Sequence, residues 1–150
     1  MTPRAYRDEL GGFELHLPDG WTSEQDGEGG VLIFREDGVG LLHLMPFDRE
    51  PDEEPDPGEE LYAFLAEQEI EIEEDEVEDV DLDGTGSLAM SEYLAEEPDE
   101  VVYWLVGVAT APGRLIFASY SCTSSERDLE RQTVTDLLSS VRFTHDRPAG

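Results

Sequence analysis

The residues Asp79-Val80-Asp81-Leu82-Asp83-Gly84-Thr85-Gly86 set carboxylates at alternate positions and follow them with glycine. A calcium loop begins this way, because Ca²⁺ takes about six to eight oxygens and the glycine permits the sharp turn between them. The rest of such a loop is missing: Met90 stands where a bidentate glutamate belongs. Val80 and Leu82 also fit a strand whose aspartates point to water. A solvated strand entering a tight turn is therefore the expectation, with calcium binding as the alternative. Gly84 and Gly86 do not make a phosphate loop, since no third glycine or lysine follows.

Nucleophilic chemistry has one candidate. Cys122 is the single cysteine, and histidines stand at 16, 43 and 145. A cysteine nucleophile needs a base and electropositive surroundings to form its thiolate. This chain is acidic, His145 falls in the C-terminal tail, and His16 and His43 fall on strands. No catalytic set, zinc site or cofactor is expected from them. The chain is read as non-enzymatic.

Carboxylates outnumber bases 38 to 9, for a net charge of −29, and every base is an arginine. The excess is uneven. Residues 1–47 carry a net −6 and residues 101–150 are neutral, whereas residues 48–100 hold 24 acids against Arg49 alone. Between Glu67 and Asp83 eleven of seventeen residues are acidic. Such a run is ordinarily a solvated face. Its concentration in one third of the chain points as strongly to a docking surface that steers a basic partner, with Glu53, Glu54, Glu73, Glu74, Asp75 and Glu76 as its residues. Salt-adapted coating is a third account, and that coating should spread over all solvated surface. Each of the three repels phosphate backbones, so nucleic acid is not an expected partner.

The elements that must position these groups follow from hydropathy. Phe13, Leu15 and Leu17 alternate with Glu14 and His16, the pattern of a half-buried strand. Pro18-Asp19-Gly20 ends it, and Trp21 directly afterwards is expected to plug the core, burying apolar area worth roughly 2–3 kcal/mol. A polar, glycine-rich loop over 22–30 leads to Val-Leu-Ile-Phe at 31–34, a turn at Glu36-Asp37-Gly38, and a strand over 40–47. Residues 48–56 form a proline- and acid-rich connector. Asp56 as cap, Pro57 at the first helical position and Glu59 three residues on predict a helix over 57–69, with Leu61, Phe64, Leu65 and Gln68 on one face. Alternation returns from 77 and continues through three segments, 88–94, 101–111 and 115–122, that read as an antiparallel meander. Ser125 is expected to cap a last helix over 125–139, whose buried face is Leu129, Val134, Leu137, Leu138 and Val141. A short Ser-Val-Arg-Phe strand follows, then a frayed tail over 144–150.

The segments at 101–111 and 115–122 are apolar on both faces, so both faces need cover, and two helices are at hand. The expected fold is a single α+β domain over 1–150 with its core at about 10–143: an antiparallel sheet with helices on both faces, an α/β/α sandwich. One cysteine excludes an intrachain disulfide and fits a reducing compartment. The first residues lack the apolar stretch of a secretory signal, and the longest apolar run is too short to span a bilayer as a helix. A cytoplasmic protein of open oligomeric state is expected.

This order of elements resembles the PsbP-like fold family. The likeness rests on a strand ending in Leu17-Pro18-Asp19-Gly20-Trp21, a hairpin, a helix, a meander with glycines before it, and a final helix running into Ser139-Ser140-Val141-Arg142-Phe143. The family takes in the photosystem extrinsic protein, a Ran-binding nuclear import factor and bacterial DcrB-like proteins, the last including cytoplasmic chaperones for secreted effectors. The likeness covers residues 10–143, and its motifs are structural. It implies a binding or assembly protein rather than an enzyme. The acidic centre is not part of the family pattern, so any role for it belongs to this chain. The expected function is a non-enzymatic protein-binding or chaperone-like module whose acidic region docks a basic or hydrophobic protein. A Ca²⁺- or small-molecule-binding protein, using the 79–86 loop or a pocket beneath a helix, is the alternative, as is a small halophilic domain.

Overall fold

A computed structural model describes residues 4–8, 13–25, 27, 29–48, 55–70, 77–82 and 86–143. Its strands are β1 (Arg4–Asp8), β2 (Phe13–Leu17), β3 (Trp21–Gln25), β4 (Val31–Arg35), β5 (Gly40–Asp48), β6 (Glu78–Asp81), β7 (Ser87–Glu96), β8 (Val101–Ala111), β9 (Arg114–Thr123) and β10 (Arg142–Phe143). Helix α1 (Pro57–Glu67) joins β5 to β6, and α2 (Arg127–Ser139) joins β9 to β10. Seven strands form one antiparallel sheet in the order β3-β4-β5-β9-β8-β7-β6, and β1-β2-β10 form a smaller one. The chain is thus α+β around a mostly antiparallel sheet. The expected meander is present as β7-β8-β9, whose long registers bring Tyr93 opposite Trp104 and Trp104 opposite Ser121.

Two strands lie where none was expected. The loop expected over 22–30, where Thr-Ser-Glu-Gln has no apolar alternation, instead gives residues 22–25 to β3, which starts at Trp21 and pairs with β4 at the edge of the large sheet. An edge strand buries little, so its polar side chains do not oppose the ladder. Strand β1 lies ahead of the expected core and is held by pairing with β2, with Tyr6 packed on Phe13 at 6.4 Å between ring centroids. At the turn between β2 and β3, Gly20 takes φ +88° and Trp21 N donates to Pro18 O at 3.1 Å. Trp21 is buried in the main core, as the plug reading expected.

Helix α1 starts as predicted: Asp56 Oδ1 accepts from Gly58 N at 2.9 Å and Glu59 N at 3.3 Å. It ends two residues early, at Glu67. Glu69 adopts a left-handed φ of 60°, its amide donates to Ala66 O, and Ile70 N reaches back to Leu65 O at 2.8 Å. That paired arrangement satisfies the last carbonyls and closes the helix without glycine.

Helix α2 departs further from expectation. Ser125 does not cap it; residues Ser124–Glu126 form a 3₁₀ turn, and the helix proper begins at Arg127 with no side-chain cap. Leu129 is 62% exposed, and Glu130 is buried instead. The buried stripe is Glu130, Val134, Leu137 and Leu138. Its i, i+4, i+7, i+8 spacing leaves Leu129 one residue, about 100° of rotation, off the face.

Alternation along β8 divides the packing into two clusters. Leu105 and Ala109 pack with Phe13, Trp21, Val134 and Leu137 in a large cluster. Val106 and Val108 pack with Leu61, Leu65, Ala89 and Leu115 in a small one. The two sides of the pleat are called below the Leu105 face and the Val106 face.

Candidate functional site

Residues opposite one another in an antiparallel ladder point to the same side of the sheet. Register therefore carries the Val106 face across four strands: Val106 faces Ser119, Ser119 faces His43, and His43 faces Leu32. The adjacent row runs Tyr93, Trp104, Ser121 and Leu41. Helix α1 lies over β7 and β8. Eleven residues make about 16 Å of helix, whereas seven strands span about 29 Å across the sheet. The helix cannot cover them all. Leu41 and Phe47 are left 43% and 47% exposed, and Leu32, Phe34 and Met45 half-buried.

Between α1 and the β5–β9 pair this surface deepens into a groove of about 480 Å³. His43, Met45 and Phe47 of β5, Phe117 of β9 and Phe64 of α1 line it, with Glu60 and Glu67 on its helical wall. Phe64 and Phe117 pack as a tilted pair, 3.7 Å between centroids with 37° between ring planes. Tyr93 and Trp104 stack at 6.2 Å further along the same face, and burial pushes the Tyr93 phenol up.

The Leu105 face is finished differently. Glu130, 1% exposed, accepts at Oε1 from the Tyr120 hydroxyl at 2.8 Å and from Gly40 N at 3.1 Å. Arg35 Nε stands 3.7 Å from its other oxygen. Gly40 is required here, because a Cβ would lie 2.5 Å from the Tyr120 ring. Burial, then the Glu130 bond, pushes the Tyr120 phenol far up. Glu130 thus ties α2 to the start of β5 and to β9. Nearby, the Tyr103 hydroxyl donates to Glu92, whose other oxygen lies 2.6 Å from Arg131 Nη2. Burial, then Glu92, raises the Tyr103 phenol, and Glu92 holds the Arg131 guanidinium charged. Glu92 and Arg131 border a polar cleft of about 490 Å³ with Glu78 and Asp128.

The residues singled out for chemistry do not converge. Cys122 is buried opposite Gly40 with the large cluster, and its thiol is pushed up by that burial. His43 lies three residues from Gly40 and so on the other side of the sheet. His16 is exposed on β2, and His145 lies outside the described residues. Asp79 and Asp81 are exposed on β6, on the side opposite the half-buried Val80, which packs against the large cluster. Asp83 and Gly84 lie outside the described residues; Leu82 N donates to Gly86 O at 3.0 Å across them. Among the described residues no three His, Cys, Asp or Glu side chains gather to hold a metal ion. Glu53, Glu54, Glu73, Glu74, Asp75 and Glu76 also lie outside the described residues. Among the described residues no helix is long and apolar enough to cross a membrane.

No protein-family model matches the sequence, and no curated protein matches it significantly. Solved structures do. The solution structure of cyanobacterial PsbP (CyanoP) from Synechocystis sp. PCC 6803 superposes with a TM-score of 0.68 at 20% identity, over 95% of this chain and 92% of that one. The fold is PsbP-like. A crystal structure from Bacteroides thetaiotaomicron VPI-5482 superposes equally, with a TM-score of 0.68 at 15% identity over 97% of this chain. This chain spans half the length of that protein. At these identities the PsbP-like likeness is one of fold.

Within the PsbP-like frame, the groove was missed by sequence reasoning. Its aromatics come from β5, α1 and β9, and only the strand register brings them together. A signal was present in Val-Val-Tyr-Trp-Leu-Val and Leu-Ile-Phe, apolar on both faces, beside a helix too short to cover one.

Proposed function

We propose that this chain is a non-enzymatic protein-binding module, with the assembly or chaperone-like role that its likeness to DcrB-like proteins implies, and that it works in the cytoplasm. The observation that carries this reading is the half-covered Val106 face, with Leu41 and Phe47 exposed beside an aromatic groove. Exposed apolar side chains bordering an aromatic groove suit an interaction site. The layering belongs to the same proposal: α1 and α2 lie on opposite faces of the large sheet. The division of alternate β8 residues between the two helices' clusters supports it.

The acidic docking residues enter through sequence. Glu53 and Glu54 precede α1, and Glu73, Glu74, Asp75 and Glu76 follow it. The most acidic segments of the chain therefore bracket the helix that forms one wall of the groove. A photo-crosslinking amino acid placed at Leu41 or Phe47, in cells of the source organism, tests the reading. A discrete protein adduct is expected from both positions and none from Leu129, the exposed leucine of α2. Equal adducts from Leu129, or no adduct at Leu41 and Phe47, would contradict it.

A further inference from the structure

We infer that the groove between α1 and the β5–β9 pair takes an extended, basic peptide segment carrying one apolar anchor. The anchor seats among Phe47, Phe64 and Phe117, and a lysine or arginine on each side of it meets Glu60 and Glu67. The inference rests on the protein-binding reading above and names the chemistry of the partner.

The spacing of the groove wall specifies this segment. Glu60, Phe64 and Glu67 occupy positions i, i+4 and i+7, one stripe of α1, and all three line the groove. The two carboxylates are two turns apart, about 10 Å along the axis. A polyproline-type segment has three residues per turn and advances about 3.1 Å per residue, so residues i and i+3 share one edge at about 9 Å. Basic side chains at those positions match the two glutamates, and a residue between them turns towards the aromatic floor. Aromatic-lined grooves suit such preformed segments, which lose little entropy on docking.

Charge selects the occupant. The chain carries −29, of which residues 48–100, flanking and including α1, contribute −23. A second copy would bring like charge against like, and an acidic segment would fare no better. A basic segment instead meets the negative wall that Glu60 and Glu67 give the groove.

Anisotropy of a labelled peptide containing Arg-Leu-Pro-Arg tests this at about 0.01 M salt, where charges act over about 30 Å. Saturable one-to-one binding is expected. The Glu60→Gln/Glu67→Gln variant should weaken it about fivefold. Replacing the peptide's leucine by serine should weaken it about tenfold. The control is Glu97→Gln/Glu100→Gln, which removes the same charge from the exposed β7–β8 turn, about 23 Å along β8 from Val108; it should change binding less than twofold. Equal weakening by the two variants would reduce the effect to diffuse attraction and overturn the inference. Binding indifferent to the leucine, or equally tight for a neutral apolar peptide, would also overturn it. Any of these failures with adducts still formed at Leu41 and Phe47 removes the basic segment and leaves the protein-binding reading standing. Absence of those adducts removes the reading itself.

Discussion

The Leu105 and Val106 faces arise from alternate residues of the same strand, yet they are completed by different means. On the Leu105 face a large cluster joins β2, β3, the central strands and α2, and even its buried carboxylate, Glu130, is held by Tyr120 and Gly40. Around Val106 only six buried residues form the small cluster, Leu61 and Leu65 of α1 among them, and Leu41 and Phe47 of β5 stand exposed on the same side of the sheet. The difference teaches where each property resides. A large core whose buried carboxylate is bonded at Oε1 supports the fold, and the opposite surface then exposes Leu41 and Phe47 beside a groove without threatening it.

That contrast can be broken by mutation. The largest expected effect is in the large cluster: Leu138→Ala should destabilise by about 4 kcal/mol, against about 2 kcal/mol for Leu65→Ala, where side chains bordering the groove can relax into the space. Denaturant unfolding measures both, and equal losses would erase the distinction. Next comes the buried carboxylate. Glu130→Ala strands the Tyr120 hydroxyl and the Gly40 amide without their acceptor, so about 2 kcal/mol should be lost in the same assay, and Tyr120→Phe should lose about 1 kcal/mol. No loss on Glu130→Ala would reduce the carboxylate to a tolerated burial.

Alkaline pH gives a finer test. The fold holds the Tyr103 and Tyr120 phenols protonated well above their ordinary range, so folded-state pKa values are raised. The stabilisation is present below the unfolded value of about 10 and is lost as pH rises above it, because only the unfolded chain then releases its protons. Circular dichroism against pH should show stability falling from about pH 10 upward. The fall should be shallower in Tyr103→Phe/Tyr120→Phe. An identical slope in that variant would mean these groups are not what burial makes of them.

Much of this fold was legible in the sequence, and for identifiable reasons. Asp56-Pro57-Gly58-Glu59 announces α1 because cap, proline and acid act locally, and the β7–β8–β9 meander shows because turns and apolar runs are contiguous. Local rules failed where a neighbour decides. The Thr-Ser-Glu-Gln of β3 is strand only because β4 lies beside it. Glu130 is buried because Val134, Leu137 and Leu138 fix the helix face, while apolarity alone favoured Leu129. The groove was the least legible feature, since Phe47, Phe64 and Phe117 meet only through register and helix placement. The acidic docking residues stand out by charge density alone, and they fall outside the described residues. Charge density alone does not say which surface it serves.

The smallest expected change in stability gives the most direct test of the whole division between a supporting face and a binding face. A Leu41→Ser/Phe47→Ser variant, carrying a photo-crosslinker at Ser119 in the groove, allows unfolding and partner capture to be read from the same protein. Exposed substitutions of this kind alter stability by about 0.5 kcal/mol each, or a few degrees in melting temperature for a domain of this size. The expected result is a nearly unchanged melting temperature together with loss of the adduct that the parent forms from Ser119. A melting temperature lowered as far as in Glu130→Ala, or an adduct formed undiminished, would contradict it.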